Sequence, residues 1–160
     1  MNHRILGIDT GTKCGWALLS TPKGIQSGVW NLAPGRHEGG GMRFLKLRHQ
    51  LDSLLQSDSE PLMVFYELVR GHRGTDAAQI YGGIVGLLTG WCEEHGIPYS
   101  GLPVQTIKKH ATGKGNAKKD AMIESATKHF SFSPKDDNEA DALWIMDLGR
   151  KQLSSDVLGN

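Results

Sequence analysis

Apolar and polar positions along this chain switch between two periods. Ile5-Leu6-Gly7-Ile8 is a short apolar run that ends on Asp9 and a Gly-containing turn, Thr10-Gly11-Thr12. Such a run, bounded by turn signals and rich in β-branched residues, predicts a buried strand. Cys14 to Leu19 predicts a second strand, joined so closely to the first that the two must pair antiparallel. Thr21-Pro22-Lys23-Gly24 reads as a turn, and Ile25 to Leu32 as a third strand of the same meander. The Gly- and Pro-rich stretch 33–41 is a loop. The period then changes: Phe44, Leu47, Leu51, Leu54 and Leu55 recur at three- and four-residue steps, which predicts a helix over 42–56. Leu62-Met63-Val64-Phe65-Tyr66 is again an apolar run, and it too ends in a carboxylate, Glu67.

A strand, a crossover helix and a further strand place the fourth strand parallel to an earlier one. If that neighbour is the first strand, Asp9 and Glu67 arrive at the same edge of the sheet. Two carboxylates meeting there repel unless a proton or a cation lies between them. An Asx-turn would account for Asp9 alone, and pairing with Arg70 or Arg73 for Glu67 alone. Two strands of the same design are harder to explain that way.

Residues 69–75, with Arg70, His72 and Arg73, form a positively charged loop, and a helix follows over about 76–95. Gly82, Gly86 and Gly90 fall four apart on one face of it, a cost of roughly 1 kcal/mol each in helix propensity. Close approach of another helix would compensate, either within the chain or from a second copy related by a two-fold axis. A fifth strand is expected over 97–101, ended by Pro103. The stretch 105–119 carries Lys108, Lys109, Lys114, Lys118 and Lys119 with no acid. A solvated loop and helix start would explain it, but lysines flanking Gly113-Lys114-Gly115 also suit a surface that wraps a polyanion. A helix over 118–130 is broken at Ser133-Pro134. The last helix begins near Asp136, where acids are favoured by capping and the macrodipole. Asp141 differs, because it shares a stripe with Trp144, Ile145 and Leu148, and so faces inward; Asp137 and Asn138 lie on the same side.

The bulk composition narrows the classes. The 160 residues are expected to form one domain, 1–160, with 38% hydrophobic and 22% charged residues, as in ordinary globular proteins. A net charge of +1 means that any affinity for nucleic acid comes from local clustering. Two well-separated cysteines, Cys14 and Cys92, fit no metal spacing and suggest a reducing compartment. With no signal-peptide core and no membrane-length apolar run, a cytoplasmic protein with no membrane association is expected. The seven histidines form no evident constellation and are read as surface or packing residues; a general-base role for His72 or His110 has only proximity behind it.

Three distant acids, Asp9, Glu67 and Asp141, with Asp137 or Asn138 beside them, make an all-oxygen set. Such a set selects a hard cation, Mg²⁺ with Mn²⁺ as a substitute. A pair of these ions roughly 4 Å apart supports phosphodiester hydrolysis. Ile8-Asp9-Thr10-Gly11-Thr12 with Gly15-Trp16-Ala17, Phe65-Tyr66-Glu67 and Glu139-Ala140-Asp141-Ala142-Leu143 together resemble the RuvC group of Holliday junction resolvases, within the RNase H-like superfamily, and the size is that of the group's small phage-borne members. The resemblance runs in order through nearly the whole chain. It implies an α/β, RNase H-like fold: a five-stranded mixed sheet (antiparallel strands 1–3, parallel strands 4–5) flanked by helices. It further implies Asp9, Glu67 and Asp141 as catalytic metal ligands, two ions per site, DNA contacts from Lys108 and Lys119, and a homodimer through the helix of Gly82, Gly86 and Gly90 that makes paired nicks in branched DNA. Two positions depart from the group's pattern. Asn138 stands where a fourth acidic or histidine ligand is usual, with Asp137 the favoured replacement. Arg70 stands where an aromatic often opens the junction, and its guanidinium could stack on a base instead. The alternatives are an RNase H-like nuclease acting on another nucleic acid, a catalytically silent junction binder, and an actin-like or sugar-kinase-like ATP-binding domain suggested by Gly7 to Thr12. The last of these implies two such domains, more than 160 residues supply.

Overall fold

The N-terminal apolar runs pair as the meander their spacing demands. In the computed structural model, which describes residues 3–56 and 59–158, β1 (Arg4–Ile8), β2 (Lys13–Ser20) and β3 (Gly24–Asn31) are successive antiparallel neighbours. The helix α1 (Met42–Gln56) carries the chain across to β4 (Leu62–Leu68), which lies parallel to β1 with Ile8 opposite Tyr66. Then α2 (Thr75–Glu94) leads to β5 (Tyr99–Pro103), parallel to β4, and the described strands take the order β3-β2-β1-β4-β5. Three helices complete the described chain: α3 (Val104–Thr112), α4 (Lys119–Phe130) and α5 (Asp137–Leu158). This is the RNase H-like α/β fold expected, with its mixed five-stranded sheet.

Helices cover both faces of the sheet, which is why β1 is buried throughout and reads as a continuous apolar run. Because strand side chains alternate in direction, Leu6 and Ile8 join Leu47 and Leu51 of α1 and Ile84, Leu88 and Trp91 of α2 in one core layer. Ile5, Ala17 and Phe65 join Leu143, Ile145 and Met146 of α5 in the other. Two glycines determine how closely α5 approaches. A Cβ on Gly7 would lie 2.5 Å from the carbonyl oxygen of Ala142 and from the amide nitrogen of Met146. One on Gly15 would collide with the backbone of Asn138. At these two points the backbones of β1 and β2 therefore rest directly against α5, with no room for a side chain.

Three local expectations are corrected. The fifth strand is shifted: it begins at Tyr99 rather than Ile97 and includes Pro103. A proline is tolerated there because β5 is an edge strand with β4 as its one neighbour. The lysine-rich stretch is not only loop, since Val104–Thr112 forms a helix closed by Gly113 in the left-handed conformation. And α5 is not amphipathic with a single buried stripe: residues 142–149 are buried on all sides, held between the sheet and α3 and α4.

Candidate metal centre and nucleic-acid interface

Asp9 follows the last residue of β1, Glu67 is the penultimate residue of β4, and these strands are parallel neighbours. Both carboxylates therefore leave the sheet at the same edge. The close seat of α5 on Gly7 and Gly15 brings Asp141 over that edge. Ligand atoms of Asp9, Glu67 and Asp141 all lie within 4.8 Å of one another. No lysine or arginine lies within ion-pair distance of any of the three among the described residues.

The electrostatics follow from that crowding. Burial pushes the Asp9 carboxyl well above the usual range, and the neighbouring Glu67, Asp141 and Asp137 push it in the same direction. Glu67 is raised, chiefly by burial, with a hydrogen bond to Asp9 and the charge of Lys108 opposing. Asp141 is pushed up to about 7, by burial first and then by Glu67 and Asp137, against Lys108 and Lys119. One buried and two half-buried acids that cannot all ionise alone fit a site that takes up a hard, highly charged cation. An oxygen-only donor set of this kind matches Mg²⁺ or Mn²⁺.

Glu67 and Asp141 open into a cleft of about 600 Å³ that Asp137 also lines, with Lys108, Lys118 and Lys119 on its other side. Lys119 reaches Asp137 at 3.5 Å. Lys109 and Lys114 are exposed outside the cleft lining, as are Arg70 and Arg73 on the loop after β4. Asn138 is adjacent but turned elsewhere: its side-chain amide donates to Asp136 at 3.4 Å, and its backbone carbonyl sits over Gly15. Gly82, Gly86 and Gly90 lie exposed along α2, where an added Cβ would meet no atom within 4 Å. Close packing within the chain is therefore not their role; the glycine that packs internally is Gly83, against Phe44.

Sequence reasoning missed two features of this region. The Glu67 backbone carbonyl accepts hydrogen bonds from the Thr10 hydroxyl at 3.0 Å and the Tyr81 hydroxyl at 3.2 Å. Away from the cleft, Asp147 gathers His110 at 2.8 Å and Arg150 at 2.8 Å, with His129 at 3.9 Å. The three basic partners come from α3, α4 and α5; Arg150 stands at the i,i+3 spacing of a helical ion pair, but no spacing in the chain announces the two histidines.

An acid cluster at the parallel edge of a mixed five-stranded sheet, completed from a helix packed on its face, is an RNase H-like arrangement with a candidate metal site. Comparison with known proteins points to one branch of it. The chain is 28% identical over 149 residues to the crossover junction endodeoxyribonuclease RuvC of Synechococcus sp. (strain WH7803), covering 89% of this chain and 94% of that protein. It is 29% identical over 146 residues to the enzyme of the same name from Anaeromyxobacter dehalogenans, covering 88% and 77%. No family model matches. Among solved structures, Thermus thermophilus RuvC superposes with a TM-score of 0.69 at 19% identity, covering 89% of this chain and 90% of that one. The same protein in complex with a Holliday junction substrate gives 0.68 at 20% identity, with the same coverage. The yeast mitochondrial Holliday junction resolvase Ydc2 gives 0.56 at 14%, covering 89% and 75%. The chain shares the fold of these RuvC structures.

Proposed function

We propose that this protein is a structure-specific DNA endonuclease that resolves four-way junctions, and other branched DNA to a degree its loops decide. The observation that carries the reading is the convergence of Asp9, Glu67 and Asp141 beside a lysine-lined cleft, in a chain similar over 89% of its length to proteins named crossover junction endodeoxyribonuclease. The whole span 1–160 is read as one nuclease domain. Divalent cations, Mg²⁺ or Mn²⁺ and a pair per site, would supply the Lewis acidity that polarises the scissile phosphate and lowers the pKa of the attacking water.

The chain's own groups do the rest. Asp9, Glu67 and Asp141 would hold the cation at the sheet edge, its charge replacing their protons and offsetting the burial that chiefly raises their pKa values. Asp137 is the fourth acid of the site in this reading, being in the cleft wall where Asn138 is not. Lys108 and Lys119 meet the phosphate beside the cut, while Lys109, Lys114 and Lys118 extend the basic rim along the strand. Arg70 and Arg73 project from the loop beyond Glu67 toward the branch point, where a guanidinium can stack on an unpaired base.

Two nicks on symmetric strands need two sites, and the open glycine face of α2 fits a second copy of the chain packed across a two-fold axis. Among the described residues no helix is long and apolar enough to cross a membrane, and the reading places the protein in the cytoplasm of a bacterial or phage-infected cell.

The test is a cleavage assay with Mg²⁺ on labelled four-way, three-way, linear duplex and RNA–DNA substrates. Paired nicks at symmetric positions near the crossover are expected. Preferential cleavage of the RNA–DNA hybrid would replace the reading with another RNase H-like nuclease. ATP hydrolysis without DNA would replace it with a nucleotide-binding domain. Binding of the junction without metal-dependent nicking would leave a silent binder.

A further inference from the structure

On its β1 side, the end of β4 is held by side chains rather than by a strand partner. The β1–β4 ladder stops at Ile8 opposite Tyr66, one residue before Glu67, and the β4–β5 ladder stops at Leu68 opposite Pro103. On the β1 side the Glu67 carbonyl thus lies one residue past the last ladder position, and the Val69 amide lies past the end of both ladders. Backbone polar groups in so enclosed a place need partners. One phenolic oxygen supplies both: Tyr81 of α2 accepts from the Val69 amide at 2.9 Å and donates to the Glu67 carbonyl at 3.2 Å. Thr10, next to Asp9, donates to the same carbonyl at 3.0 Å. The Tyr81 ring also packs against His72, with centroids 4.5 Å apart, on the loop that follows Glu67.

We propose that Tyr81 is a positioning residue for Glu67. Its hydroxyl fixes the backbone on both sides of Leu68, and so fixes where the Glu67 carboxylate stands relative to Asp9 and Asp141. The proposal rests on the reading of the three acids as a metal site. A ligand held by its backbone in this way loses no orientation when charge arrives, and groups that orient metal ligands from behind typically influence metal affinity or activity by about 10- to 100-fold. Through His72, the same ring ties the loop carrying Arg70 and Arg73 to the acid cluster.

The experiment measures Mn²⁺ binding by the full-length protein, from the free-ion electron paramagnetic resonance signal, for wild type, Tyr81→Phe and Tyr99→Phe. Tyr99 bonds Glu93 away from the cleft and serves as the control. Tyr81→Phe keeps the ring and removes the oxygen, and its thermal midpoint is recorded alongside. The expected result is a rise of about 10-fold in the Mn²⁺ Kd for Tyr81→Phe, with Tyr99→Phe unchanged. On a four-way junction, kcat should fall while KM stays within about twofold, since no DNA contact is removed. Equal Mn²⁺ affinity in wild type and Tyr81→Phe overturns the proposal, as does an equal loss in Tyr99→Phe. Wild type that binds Mn²⁺ in a Tyr81-dependent way but leaves the junction uncut overturns the nuclease reading and leaves the positioning role standing.

Discussion

Six residues apart on α5 stand two mostly buried aspartates with opposite fates. Asp147 is met by partners that match it: the Arg150 guanidinium on the same helix at 2.8 Å and the His110 ring from α3 at 2.8 Å. Despite burial, these hydrogen bonds and charges bring its pKa below the ordinary value. Asp141 has carboxylates for its nearest ionisable neighbours, and its pKa rises to about 7. Burial acts on both, so burial alone does not separate a structural acid from a functional one. The partners do. Asp147 completes a neutral-to-basic cluster that ties α3, α4 and α5 together, whereas Asp141 leaves the chain short of positive charge at a cleft that opens to solvent.

Exchanging each acid for its amide separates the two most sharply. Asp141→Asn should lower junction cleavage by on the order of 10³-fold, the rate equivalent of several kcal/mol of charge stabilisation. Junction binding should be retained, as a gel-shift titration would show, and the thermal midpoint in chelator should rise because repulsion with Glu67 and Asp137 is relieved. Parallel loss of binding and cleavage would break the comparison.

The pH dependence should be next in size. A carboxyl raised from 3.8 unfolded to about 7 folded binds its proton more tightly in the native state. The metal-free protein should therefore lose stability as pH climbs from about 4 to about 7, by on the order of 4 kcal/mol. Added Mg²⁺ should flatten that slope in denaturant melts, because it replaces the protons. Asp147 carries the opposite sign. Its contribution is present above the ordinary carboxylate range and is lost as pH falls through its lowered value.

Asp147→Asn should cost about 2 kcal/mol at neutral pH, the scale of leaving buried donors short of a charged acceptor, and should leave Mg²⁺-dependent kcat within about twofold of wild type. Smallest is Lys109→Ala, a change outside both constellations. It should weaken junction binding by about two- to threefold and reduce the salt slope of log K by about 1, without a change in stability.

The legible and illegible parts of this site divide along the same line. Asp9 and Glu67 could be found because each terminates an apolar run, and their adjacency follows from one crossover. Asp141 could be found as a polar residue set in an apolar helix. That helix also carried a signal for its burial on all sides, since Leu143-Trp144-Ile145-Met146 is apolar without a break. The helix at Val104–Thr112 was masked by its lysines and by the proline before it, which reads as a stop although an edge strand tolerates it. The histidine partners of Asp147 and the hydroxyls on the Glu67 carbonyl are tertiary facts. His110, His129 and Asp147 lie far apart in the chain and meet only through the packing of three helices, and nothing local to Tyr81 says that its oxygen will cap a strand.

The seat of α5 on bare backbone at Gly7 and Gly15 has a consequence for biosynthesis. A polypeptide emerging from the ribosome exposes Asp9 and Glu67 long before Asp141 has been translated, and Asp141 reaches the other two only by docking on those glycines. A chain stalled or truncated ahead of its last helix therefore cannot assemble the three-acid cluster, and on the proposed reading it should not cut DNA.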